Sequence, residues 1–180
     1  MKYINGKYKK QAEDQLISIG AERAKKLIIM ASSFVNFKDK NVGFGVKDSV
    51  LQVVCNFLAN SIGKLNTKEI WLEEFEDLLK INAEGIFTGC MHLNLDEYLI
   101  DQERIKIFLD LTGLAKKELM KEGEMTCLER LNSHIVNPRL QSKWLQPMEA
   151  SFFIKYLTFL ELVVTGVLIF RVDGPIDYWD

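Results

Sequence analysis

Apolar residues recur along this chain at helical spacing, and the elements predicted from it follow that period. From about Tyr8 to Met30, Ala12, Leu16, Ile19, Ala24, Leu27 and Ile28 fall near one face, interrupted by Gly20. The polar stretch Asn36–Gly45, with Lys38-Asp39-Lys40-Asn41 and two glycines, predicts a loop. A second helix is expected from about Val46 to Ile62, with Val50, Leu51, Val54, Phe57 and Leu58 at core spacing. Thr67 is placed to cap a third that turns Ile70, Trp71, Phe75, Leu78 and Leu79 inward. Its other face carries Glu69, Glu73, Glu74, Glu76 and Asp77.

Around Gly85 to His92 the period fails, which predicts a turn or a short extended piece. Asn94 then caps a segment through Tyr98, and a helix follows from about Gln102 to Lys121, where Gly113 is a candidate kink. Thr126 is expected to cap a shorter helix, Cys127 to Val136, which stops before Pro138. Pro147 suits the first position of a last long helix. Its apolar run, Ser151 to Val172, is long enough to span a bilayer. Lys155 and Glu161 lie in its body, and each costs about 2.5–3.5 kcal/mol at a membrane centre. A buried helix is therefore the expectation. The reading is mainly α: a single-domain bundle, residues 1–180, of seven or eight helices with a long buried C-terminal helix.

Composition agrees with a folded chain. Of 180 residues, 48% are hydrophobic and 27% charged, and three prolines leave long stretches without breakers. Cys55, Cys90 and Cys127 are odd in number and widely spaced, unlike a disulfide framework, and predict reduced, buried thiols in the cytoplasm. The N-terminal residues lack the apolar core of a signal peptide. A net charge of −2 gives no global attraction to nucleic acid.

Candidate chemistry is thin. Gly43-Phe44-Gly45 lacks the lysine or third glycine of a phosphate cradle. Cys90, His92, Cys127 and His134 have the residue types of a zinc site but not a standard spacing. His92 and Asp96 lie four apart without a second histidine of that kind. Each cysteine sits in apolar surroundings with no adjacent base, and no serine occupies a nucleophile elbow. No catalytic, metal or cofactor residue is assigned, and no enzyme activity is expected.

Charge segregation is more informative. Residues Thr67–Glu84 hold six acids against two lysines, and Asn94–Asp110 five acids against two bases. Asp177, Tyr178, Trp179 and Asp180 close the chain with acidic and aromatic groups. Glu73, Glu74, Glu76, Asp77, Asp96, Glu97, Asp101 and those four tail residues are the expected partner-binding set. Trp71 and Tyr98 are the aromatic groups nearest to it. Such a surface steers a basic partner and supplies desolvated anchors.

A small acidic helical chain rich in Lys, Ile, Asn and Leu, without a motif and with an acidic aromatic end, resembles the immunity proteins of bacterial contact-dependent inhibition and related toxin systems. The resemblance implies a cytoplasmic antitoxin that occludes a cognate toxin domain, often a basic tRNA-cleaving or EndoU-type ribonuclease, with no direct nucleic-acid or membrane contact. Two alternatives stand beside it. One is a helical nucleic-acid-binding regulator or adaptor that uses the basic N-terminal segment Lys2, Lys7, Lys9, Lys10, Arg23, Lys25 and Lys26. The other is a small enzyme with a carboxylate or zinc site.

Overall fold

A computed structural model describes residues 32–67, 69–86, 90–121, 123–136, 141 and 143–167. The helix expected over Tyr8–Met30 and the basic N-terminal segment lie outside these residues. Six helices and two small two-stranded sheets occur among them, so the chain is mainly α.

The first element corrects the expected loop. Strands β1 (Ser32–Phe37) and β2 (Asp39–Lys47) form an antiparallel hairpin that pairs Ser32 with Lys47 and Val35 with Phe44. Along β1 burial alternates, with Ser33, Val35 and Phe37 turned inward. The two glycines that suggested a loop are strand residues instead. A Cβ on Gly43 would stand 2.0 Å from the Val35 carbonyl oxygen, so only glycine allows the strands this approach. Lys38 makes the turn with φ 60°, a left-handed conformation uncommon for lysine, and a bulge follows Asn36.

Helix α1 (Asp48–Ile62) is the central support, packed against β2 and against the helices introduced below. It starts two residues later than expected because Val46 and Lys47 belong to the strand. Asp48, in its first turn, accepts a hydrogen bond from the Ser33 hydroxyl at 2.6 Å, and Ser33 in turn accepts one from the Met91 backbone N–H at 2.9 Å. This buried relay ties the hairpin, the helix and the 91–94 segment together.

Helix α2 (Ile70–Ala83) follows without the expected cap: Glu69 occupies the N-cap position and makes no side-chain bond, so Thr67 stands outside the helix. The single turn α3 (Leu95–Tyr98) and the long helix α4 (Gln102–Lys121) come next. Helix α4 has the boundaries the period predicts and runs unbroken through Gly113. Its Thr112 is buried and donates to the Leu109 carbonyl.

The next stretch differs from expectation. Thr126 belongs to a two-residue strand β3 (Met125–Thr126), and the helix after it, α5 (Leu128–Leu131), is one turn. The wrap beyond it is held by side chains. Asn132 and Trp144 exchange two hydrogen bonds, and buried Gln141 donates to the carbonyls of Ala83 and His134.

Strand β4 (Met148–Glu149) pairs with β3, which displaces the start of helix α6 (Ala150–Val164) beyond Pro147. Helix α6 packs on α1, α4 and the hairpin, where Phe44 meets Phe159 at 5.4 Å. It stops well before Val172. Gly166 adopts φ 73°, its N–H bonds to the Val163 carbonyl, and the Val167 N–H bonds to that of Leu162. That is a Schellman stop, which glycine accepts without penalty. No helix among the described residues is long and apolar enough to cross a membrane. One hydrophobic cluster joins the hairpin to the helices, with Phe57, Phe75, Phe108 and Phe153 fully buried.

Candidate partner-binding surface

Helix α2 separates its two faces as the spacing requires. Trp71, Leu72, Phe75 and Leu79 are buried, whereas Glu73, Glu74 and Asp77 are exposed. Glu76 is half-buried and takes a different role. Its carboxylate meets Lys80 one turn on at 2.6 Å, and that hydrogen bond raises the lysine's pKa. Glu76 is thus paired within its own helix, whereas Glu73, Glu74 and Asp77 make no salt bridge among the described residues.

Helix α3 brings the second acidic segment against the first. The Tyr98 ring packs at a tilt of 50° against Phe75 of α2 with centroids 5.0 Å apart, which fixes the phenol beside the acidic face. The Tyr98 pKa is raised, first by burial and then by the charges of Glu74, Glu97 and Asp77. Three carboxylates from two elements therefore act on one phenol. Among the described residues none of these three makes a salt bridge. The Asn94 side-chain amide lies 3.5 Å from the Glu97 carboxylate, and Asp77 also helps to raise the Lys80 pKa.

Neighbouring acids are partly committed to the fold. Asp96 accepts a hydrogen bond from the Lys38 backbone N–H at 2.6 Å and holds the hairpin turn against α3. Asp101 accepts from the Arg104 backbone N–H at 2.9 Å in the first turn of α4. The Arg104 guanidinium lies 5.3 Å over the Trp71 ring and donates to the Tyr98 carbonyl at 3.3 Å. Trp71, expected near the edge of the surface, is only 6% exposed under this arginine and offers a partner little. Ile70 and Ile100, at 77% and 64% exposure, are the accessible apolar residues beside the acids in sequence. Ile70 corrects the expectation that turned it inward with Trp71 and Phe75: as the first residue of α2 it stands outside the buried stripe. The exposure of Ile100 carried no sequence signal.

Of the expected set, Glu74, Asp77 and Glu97 each raise the Tyr98 pKa through their charge, while Glu73 is exposed on the same helix as the first two. Asp96 and Asp101 border the group through structural bonds. Asp177, Tyr178, Trp179 and Asp180 lie outside the described residues.

Of the three thiols expected to be buried, only Cys55 is; Cys90 and Cys127 lie outside the helical core and are exposed. The zinc quartet does not assemble. Cys90, His92 and Cys127 are exposed and His134 is buried, and no group of three or more potential ligands occurs among the described residues. Burial holds the His134 pKa down to about 4, with the Leu131 backbone acting in the opposite sense. Burial likewise raises the Cys55 thiol far above its ordinary value, which makes it a poor nucleophile. Cys127 instead hydrogen-bonds Glu129, whose pKa is lowered first by its own backbone N–H and then by that thiol. His92 and Asp96 line one shallow cleft with Phe34, Asn36 and Glu97. The Asp96 carboxylate is already engaged there by Lys38.

In comparisons with known proteins, no family model, no curated protein and no solved structure matches the chain.

Proposed function

We propose that this chain is an immunity protein, which binds and neutralises a cognate toxin domain by occluding its active site without catalysis of its own. The target class is a basic nuclease, a tRNA-cleaving or EndoU-type ribonuclease, met in the cytoplasm. Residues 1–180 act as one helical domain in this reading.

The observation that carries it is the acidic face at Tyr98. The charges of Glu74, Asp77 and Glu97 act on a half-buried phenol, and no lysine or arginine among the described residues makes a salt bridge to them. Like charges gathered this way weaken the free protein slightly, and a cationic partner relieves the repulsion on binding. A nuclease cleft lined with lysine and arginine to hold phosphates is such a partner, and carboxylates set on rigid helices take the phosphates' place. Tyr98 contributes an aromatic surface at low entropic cost, the residue type enriched at binding hot spots.

Co-expression with the product of the gene immediately upstream tests the role. Rescue of growth from that product's toxicity is the expected result, and failure of every neighbouring product to be toxic or to be neutralised would overturn it. The surface is tested separately with the triple variant Glu74→Lys, Asp77→Lys and Glu97→Lys. Its affinity for the purified toxin domain falls at least a hundredfold, and the remaining binding loses much of its salt dependence. Undiminished affinity would remove this face from the mechanism and leave the immunity role standing.

A further inference from the structure

We draw no further inference here: the strongest candidate, the groove beside α4 and α6 lined by Met120, Met125 and Ile154, is an apolar face, and nothing in the structure shows what covers it.

Discussion

Two carboxylates of α4 and α6, Glu118 and Glu161, and three of α2 and α3, Glu74, Asp77 and Glu97, are treated in opposite ways. Glu161 of α6 points into the contact with α4, where its two oxygens meet Thr112 at 2.8 Å and Lys116 at 2.6 Å. Glu118 of α4 joins Lys64 and Lys121, each at 2.7 Å, and hydrogen bonds from those two lysines hold its pKa down to about 2. Glu74, Asp77 and Glu97 make no salt bridge among the described residues, and all three act on a tyrosine. Acids that join elements are thus neutralised in place, and those left unbridged stand where no element of the described chain covers them. The contrast separates charge that holds the fold from charge available to a partner.

The aromatic floor of the acidic face gives the largest expected effect. Phe75 is fully buried, packs at a tilt against Tyr98 and sits edge-on to Phe108 of α4 at 6.0 Å. Phe75→Ala removes a large side chain from a packed site and should cost about 3–5 kcal/mol in denaturant unfolding. It also frees Tyr98, so the variant loses the raised phenol pKa along with its stability. A loss below about 1 kcal/mol would mean that α3 is not anchored through this ring contact.

A buried base supplies the next effect, because acid reaches it before the paired carboxylates. His134 titrates near 4 in the folded chain against an ordinary 6.5. The unfolded chain therefore binds more protons between those values, and stability is full above about 6.5 and falls as pH drops toward 4. The difference corresponds to at most about 3 kcal/mol. Unfolding free energies at pH 7 and pH 4 measure it, and a His134→Gln variant should lose that part of the slope. Glu118 works in a lower window: its contribution is present above about 4.5 and fades toward 2.

Glu161→Ala tests the joining acids directly. The substitution leaves a half-buried ammonium on Lys116 and costs Thr112 one acceptor, for a loss of about 1–3 kcal/mol. Pairing the variant with Lys116→Met should recover part of the loss, since the uncompensated charge then disappears. If the single and double variants unfold at the same denaturant concentration, the ion pair contributes nothing through charge.

What the sequence disclosed follows the range of the forces involved. Helix α4 and the inward stripe of α2 were legible because the 3.6 period acts within each segment. The hairpin was not, since Gly43 and Gly45 read as loop residues until Val35 is placed across from them, a contact between strands. The end of α6 was hidden by the apolar residues after Gly166, which continue the hydropathy past the turn that stops the helix. The acidic face divides in the same way. Spacing alone places Glu73, Glu74 and Asp77 outward, and the four-residue step from Glu76 to Lys80 could have disclosed their pairing. The capture of Asp96 by Lys38, 58 residues away, depends on tertiary placement. So does the approach of Glu97 to α2.

The smallest effect is the one that bears most directly on the unbridged acids. Changing Glu74→Gln, Asp77→Asn and Glu97→Gln together keeps each side chain's size and removes its charge. Because no salt bridge among the described residues is broken, stability should change by no more than about 0.5 kcal/mol, in the direction of a gain from relieved repulsion. The Tyr98 phenol reports the charge itself. Its pKa is raised by burial first and by the three carboxylates after that, so neutralising them lowers it part of the way while burial keeps it above the ordinary value. The folded chain prefers the protonated phenol, so the stability tied to it is present below about 10 and is lost as pH rises through the raised folded value. Phenolate absorbance, with Tyr98→Phe as the blank, reads that titration. A midpoint unmoved by the triple change would show that the carboxylates stand too far from the phenol to form one acidic face with it.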